Sequence, residues 1–339
     1  MSRFSDSIQI LRHLTFRRFA NLLLLRISYG WSRMTKKPMH LGRPFSLSIE
    51  PTTACNLACP ECPSGLKQFT RPTGKLNLTL HEKILQQVSK SVFYINYYFQ
   101  GEPFLHPDFL ELIKQAKQHR IYTATSTNAH FITHQKALEI IDSGLDRLII
   151  SIDGLTQETY EQYRVNGKLD SVLEGTAHLI AAKRERNSST PHLIFQLLAV
   201  SANEHEIPKV FELGKNMGVD EVRIKTAQLY DYENGNPLMP KNEAYSRYRK
   251  NIDGTYTLKY KPENHCWRMW SGSVLTWDGK VVPCCFDKDA QHVLGTIKEQ
   301  NFNHIWTSPA YKQFRSQVFL NRKSIDICTN CSEGATVWK

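Results

Sequence analysis

Residues 54–65 read ACNLACPECPSG and set Cys55, Cys59 and Cys62 in a C-x3-C-x2-C array. A closed zinc site takes four ligands, and the nearest histidine, His40, precedes the first expected strand. A cuboidal [4Fe–4S] cluster has four irons, each with room for a terminal ligand beyond its sulfides. Three thiolates leave one iron open to a small molecule. The array therefore reads as a catalytic cluster site in preference to a structural ion.

Working outward, short apolar runs at 45–50, 94–100, 121–127, 147–153, 192–200 and 219–226 alternate with helix-like stretches at 80–91, 109–119, 134–143, 171–186 and 207–217. This alternation predicts an α/β fold of βα units around a parallel sheet. Chemistry in such sheets sits at the carboxyl ends of the strands. The cysteine array begins five residues after the first run, and QGEP (100–103), STNA (126–129) and SIDG (151–154) end the next three. Turn residues are common in loops, but four such stretches in succession at one end of a sheet line one mouth.

The chain has 339 residues and eight cysteines, three near residue 60 and five beyond residue 265. That is too sparse for a secreted disulfide scaffold and is clustered as metal ligands are, which points to a reducing cytoplasm. The net charge is +11, and residues 1–44 hold nine Arg or Lys against the single acid Asp6. The run FANLLLLRI (19–27) is shorter than the roughly 20 residues of a membrane span and has no secretory cleavage pattern. Two readings of this basic helical extension stand: contact with an anionic membrane surface or an acidic partner, or a helix packed across the main domain with its arginines in water. Leu22–Leu25 point to all sides of a helix, which leaves the amphipathic reading incomplete. No nucleic-acid partner is expected.

From residue 45 onward the sequence resembles the radical S-adenosylmethionine enzymes. The resemblance implies a partial (β/α)6 TIM-like barrel in which Cys55, Cys59 and Cys62 hold a [4Fe–4S] cluster whose open iron chelates S-adenosylmethionine. Reductive cleavage of that cofactor then gives a 5′-deoxyadenosyl radical that abstracts hydrogen from substrate. Gln100–Pro103 resembles the family's Gly-Gly-Glu-Pro motif, which makes Gly101, Glu102 and Pro103 cofactor-binding, with Gln100 replacing the first glycine. Thr127, Asn128, Ser151 and Arg164 resemble further cofactor contacts, Arg164 offering a planar fork to a carboxylate. Glu61 departs from the family's aromatic residue at that place, so the adenine contact must come from elsewhere. Gln196 and Lys225 are candidates to reach into the barrel, as are those of Tyr94, Tyr97, Tyr98 and Phe99 that point inward.

Five cysteines remain: Cys266, Cys284, Cys285, Cys328 and Cys331. VLTWDGKVVPCC (274–285) predicts a hairpin around Asp278–Gly279 that folds Cys284 back towards Cys266, and CTNC (328–331) adds a pair. By spacing alone, Cys266, Cys284, Cys328 and Cys331 suit a zinc ribbon equally. The opening from Cys266 through Gly279 to Cys284 is similar to the SPASM extension of radical enzymes, in its shorter, one-cluster twitch form. That implies a second, auxiliary [4Fe–4S] cluster for electron transfer, with Cys285 spare or replacing Cys284. The expected organisation is an extension at 1–44, the barrel at 45–228, a connector at 229–262 and the auxiliary domain at 263–339. The resemblance implies an electron donor such as flavodoxin or ferredoxin. The leading expectation is net oxidation of a small molecule. The alternatives are peptide modification and, outside catalysis, a metal-binding scaffold or sensor.

Overall fold

The structure is a computed structural model that describes residues 3–260 and 262–333; the outer ends of the expected segments 1–44 and 263–339 lie outside it. Six parallel strands follow one another in spatial as in chain order: β1 (Ser46–Ile49), β2 (Tyr94–Asn96), β3 (Tyr122–Thr127), β4 (Arg147–Ser151), β5 (His192–Ala199) and β6 (Glu221–Thr226). Helices cross between them: α3 (Pro63–Leu66) and α4 (Leu78–Val88), α5 (Phe109–Gln118), α6 (His134–Asp142), α7 (Gln157–Tyr163) and α8 (Leu169–Glu185), and α9 (Ile207–Met217). This is the expected partial βα barrel. The second strand stops at Asn96, short of the expected residue 100, and Gly101 turns the chain with φ +75°. Helix α7 went unpredicted, although the reciprocal Thr156–Thr159 cap at its start is visible in the sequence.

Alternation along the strands makes the barrel polar inside and apolar outside. Leu47, Ile49, Ile95, Leu148 and Ile150 belong to the buried core. Their neighbours Ser46, Ser48, Tyr94, Asn96, Arg147 and Ile149 line an inner cavity. Of the four aromatic candidates, Tyr94 lines this inner cavity and Tyr98 the mouth. Tyr97 turns outward, its hydroxyl 2.8 Å from His81 Nε2, and Phe99 packs with Val274, Val282 and Ala290.

The expected C-terminal hairpin is present, and it also extends the barrel sheet: β9 (Gly272–Leu275) pairs in parallel with β1, followed by antiparallel β10 (Lys280–Val282) and β11 (Gly295–Thr296), so one nine-stranded sheet runs from β11 to β6. An unclosed barrel leaves the outer edge of β1 with unpaired backbone groups, and the hairpin supplies their partners. A Cβ on Gly272 would meet the Ser46 carbonyl oxygen at 2.7 Å, so the pairing is that close. Helices α10 (Arg268–Ser271) and α11 (Phe302–Trp306) pack on β9 and β11, and α12 (Pro309–Asn321) and α13 (Asp326–Thr329) follow, joined by a 3-10 turn at Arg322–Ser324. The segment between the barrel and this region includes the two-stranded β7 (Tyr248–Lys250)–β8 (Tyr256–Leu258) and bridges both. The Tyr248 hydroxyl donates to Leu229 O at 3.1 Å and lies 2.9 Å from Asn330 Oδ1.

The N-terminal extension forms α1 (Arg3–Arg12) and the 20-residue α2 (Phe16–Thr35), longer than the expected apolar core of nine. Asp6 closes the bottom of the barrel, accepting from Tyr122 and Arg147. Arg18 is buried and donates to the carbonyls of Ser89 and His119, which end α4 and α5, and to those of His13 and Arg120. A guanidinium there satisfies helix-terminal acceptors that the helices themselves leave open. Arg18→Met is expected to lower unfolding free energy by about 2–3 kcal/mol and to make the α2–barrel junction protease-sensitive. An unchanged urea midpoint would contradict this account.

Candidate functional site

At the carboxyl ends of the strands lies a cavity of about 350 Å³ walled by Cys55, Cys59 and Cys62 on one side and by Gly101, Glu102, Thr127, Asn128, Ser151 and Arg164 on the other. Gln196 and Lys225 reach it from β5 and β6. Pro103 is not on its wall. It is buried as the first residue of a 3-10 turn that Glu102 caps through Phe104 N, so it shapes Glu102 from behind.

The cysteine loop is held by its own backbone. Cys62 N donates to Cys59 O, Leu66 N donates to Cys62 O at 2.9 Å, and Ala58 N donates to Val165 O at 3.0 Å. Gly65 is needed for this fold-back, because a Cβ there would stand 2.6 Å from Cys59 N. Gly101 is hemmed in as tightly: a Cβ would lie 2.3 Å from the Thr52 carbonyl oxygen, and its N–H donates to Ser64 Oγ at 2.8 Å. Burial pushes the Cys55 thiol up to about 12 and raises that of Cys59, the latter opposed by Arg164. Burial thus favours the neutral thiol at Cys55 and Cys59, and binding of a cationic group releases their protons.

Glu102 is fully enclosed, and burial raises its carboxyl above the usual range. Its Oε1 accepts from Thr127 Oγ1 at 2.8 Å and Phe104 N at 3.2 Å, and its Oε2 from Asn128 N at 2.8 Å. A carboxylate has about four acceptor positions, so one stays open towards the cavity for an ammonium group. Asn128 Nδ2 also donates to Asn56 Oδ1 at 2.8 Å, joining this wall to the cysteine loop.

Arg164 does not present a free fork. Its Nε lies 2.5 Å from Asp153 Oδ2 and its Nη1 3.8 Å from Cys59 Sγ. Burial lowers its pKa, but Asp153 and Cys59 more than compensate and hold it well above the usual range. Asp153, inside the quoted SIDG, was given no role by sequence reasoning; it orients Arg164 while its Oδ1 accepts from Leu198 N at 2.6 Å. Glu61 lines the cavity and accepts from Tyr230 N at 2.9 Å, anchoring the connector over the mouth. His40 plays no part here. It packs against Trp270 and Trp306, and burial lowers its pKa to about 3.

A second cavity, small and apolar, is bounded by Cys266, Cys284, Cys328 and Cys331 together with Met269, Phe286, Phe314, Val318 and Ile327. Cys285 is not among them and packs instead with Phe99, Val274, Val282 and Ala290. Arg322, unremarked in the sequence, is buried beside the four. Its guanidinium donates to His265 O at 2.9 Å and lies 3.3 Å from Cys331 Sγ. Among the described residues no three Cys, His, Asp or Glu side chains converge on a single-ion position.

Residues 49–213 match the Radical SAM superfamily, and residues 266–332 match SPASM, an iron-sulfur cluster-binding domain. Radical SAM and SPASM domains are both present in this chain. The radical SAM domain implies a [4Fe–4S] cluster and S-adenosylmethionine, and the SPASM domain implies auxiliary iron–sulfur clusters. The donor sets of the two cavities fit those groups. The chain is 26% identical over 319 residues to the tungsten-containing aldehyde ferredoxin oxidoreductase cofactor-modifying protein of Pyrococcus furiosus, covering 84% of this chain and 86% of that protein. It is 25% identical over 315 residues to the PqqA peptide cyclase of Gluconobacter oxydans, covering 87% and 84%. Streptococcus suis SuiB bound to S-adenosylmethionine has the same fold, with a TM-score of 0.63 at 14% identity over 92% of this chain and 77% of that one. Where the radical SAM barrel meets the SPASM region, Cys284 lines both the apolar cavity and a barrel cavity of about 590 Å³. The latter shares Asn96, Ile149 and Lys225 with the mouth, so one polar lumen runs between the two cysteine sets.

Proposed function

We propose that this radical SAM protein modifies a peptide. The observation that carries this reading is similarity to a PqqA peptide cyclase across both domains and most of each chain. It displaces the leading expectation of small-molecule oxidation in favour of the alternative. In this reading Cys55, Cys59 and Cys62 hold the first cluster. Glu102 receives the amino group of S-adenosylmethionine, with Gly101, Thr127, Asn128, Ser151 and the Asp153-oriented Arg164 shaping the rest of its pocket. When bound, these groups supply one-electron cleavage of the cofactor and abstraction of a substrate hydrogen. Cys266, Cys284, Cys328 and Cys331 hold an auxiliary cluster at the far end of the lumen, where Cys284 adjoins the substrate space. Flavodoxin or ferredoxin in the cytoplasm is the electron donor.

Lys225 gives the substrate a chemical sign. It stands in the lumen with no side-chain hydrogen bond or ion pair to any described residue, near Cys285, Arg223, Arg268 and Arg247, and burial lowers its pKa. Arg223 and Arg268 are neutralised by Glu221 and Glu333, whereas Arg247 donates only to backbone carbonyls, which leaves Lys225, with Arg247 beside it, to receive an acidic group of the peptide. The test is 5′-deoxyadenosine formation by reconstituted protein with S-adenosylmethionine and dithionite. Unstructured peptides containing Asp or Glu, their Asn or Gln counterparts, and a panel of sugars, aminocyclitols and alcohols are compared. Stimulation by the acidic peptides is expected, with Lys225→Met raising their KM by about 10- to 100-fold, the worth of a charged hydrogen bond. Stimulation by small molecules alone would overturn the peptide reading.

A further inference from the structure

Helix α2 turns the wrong face outward for a helix that only packs on its own domain. Arg18, Leu25, Ser28, Tyr29 and Ser32 are buried against the protein. On the opposite side Phe16, Phe19, Leu23, Ile27, Trp31 and Met34 recur every three or four residues and are all exposed, Phe16 by 87%, Ile27 by 62% and Met34 by 74%. At 100° per residue these six fall within an arc of about 120°. Leu11 of α1 extends the same apolar surface, 61% exposed. Single exposed apolar residues need no explanation, but a contiguous stripe does.

The helix cannot roll to hide this stripe. Its inner face is fixed by the four carbonyls that Arg18 holds and by Asn21, whose Oδ1 accepts from Arg43 N at 2.7 Å and whose Nδ2 donates to Arg43 O at 2.8 Å. Tyr29, whose hydroxyl lies 2.8 Å from His265 Nδ1, and Ser32, which donates to Met39 O at 2.8 Å, fix it further along. Exposed cations flank the stripe: Arg12 and Arg17 at its start, Arg26 and Arg33 along one side, Lys36 and Lys37 at its end. The acid within residues 1–44, Asp6, is buried against Arg147 and Tyr122 and neutralises none of them. No helix among the described residues is long and apolar enough to cross a membrane, so the stripe does not belong to a span.

We propose that α2 lies in the plane of an anionic lipid surface, its apolar stripe among the acyl chains and its flanking Arg and Lys at the headgroups. An apolar face bordered by cations on a helix of low overall hydrophobicity is the pattern of interfacial helices. The charge selects lipid phosphate over a neutral surface, and long basic side chains reach back to the headgroup level. The mouth cysteines are on a different element, so this placement stands apart from the identity of the substrate.

The test is flotation of the full-length, cluster-loaded protein with vesicles of phosphatidylcholine alone or with one third phosphatidylglycerol. The wild type is expected to float with the anionic vesicles, to do so less in high salt, and to remain in solution with neutral ones. Phe19→Ser, Ile27→Ser and Trp31→Ser combined should cut the floated fraction at least about tenfold, and so should Arg17→Glu, Arg33→Glu and Lys36→Glu combined. These side chains are exposed, and unchanged S-adenosylmethionine binding verifies that each variant is folded. As an independent readout, brominated lipid should quench fluorescence in the wild type and less in Trp31→Phe. Absence of flotation with anionic vesicles overturns the proposal, as does flotation that neither set of substitutions changes. A lipid-free dimer that the apolar substitutions dissociate, without vesicle binding by the wild type, would assign the stripe to a second copy instead.

Discussion

A Cys55→Ala, Cys59→Ala, Cys62→Ala protein will form no 5′-deoxyadenosine above the background of cofactor and reductant, whereas the wild type will form it under the same anaerobic conditions. The expectation rests on ligand count. A cluster with three protein ligands keeps its open iron only while all three thiolates are present, and here all three come from one loop on one cavity wall. The backbone bonds that shape this loop, Cys62 N to Cys59 O and Leu66 N to Cys62 O, do not involve the sulfurs, so the loop fold should survive the substitutions. The matched controls are an unchanged far-UV spectrum and thermal midpoint together with loss of the loop's iron and sulfide. Product from the triple variant would remove the radical site from this loop.

The auxiliary site gives an equally sharp contrast between two adjacent residues. Cys284→Ala should lower the iron and sulfide of the reconstituted protein by about half, the share of one of two equal clusters, and Cys285→Ala should leave both unchanged. Cys284 bounds the apolar cavity with Cys266, Cys328 and Cys331, whereas Cys285 is turned into a cluster with Phe99, Val274, Val282 and Ala290. A Cys266→Ala, Cys328→Ala variant should match Cys284→Ala. Zinc in the wild type with iron unchanged in all three variants would replace the auxiliary cluster by a structural ion. Retention of iron in Cys284→Ala with loss in Cys285→Ala would exchange their roles.

How far the sequence reaches is seen best at particular residues. The order of the six barrel strands, the cysteine array and the hairpin at Asp278–Gly279 were all legible, because each is written in short-range pattern: alternating apolar runs, ligand spacing and a turn dipeptide. The cavity wall at Glu102, Thr127, Asn128 and Ser151 was legible because these residues lie at or just beyond strand ends, and parallel strands bring their carboxyl ends to one side, whereas Arg164, at the end of α7, was legible only through the family resemblance. Pro103, expected with the motif to be cofactor-binding, lies behind that wall, because a motif does not say which of its residues face the ligand. Asp153 and Arg322 were missed because no short-range pattern pairs Asp153 with Arg164 and Leu198, or Arg322 with Cys331 and His265; only the fold brings these groups together.

By itself the sequence determined the chemistry at the mouth of this barrel, since three thiols within eight residues meet whatever the rest of the chain does. Only the tertiary structure decided three other matters. It set Cys284 rather than Cys285 on the wall of the apolar cavity with Cys266, Cys328 and Cys331, because the chain leaves β10 at Val282 and turns, and only the path of that turn decides which of two adjacent side chains faces the cavity. It joined the auxiliary hairpin to the barrel, because the free edge of β1 needed a partner. It turned the apolar side of α2 to the outside, because Arg18 is drawn inward by four carbonyl oxygens contributed from the loop before α2 and from the ends of two distant helices. Periodicity can reveal that a helix has two faces; which of them the protein keeps is fixed by the groups it finds to bind.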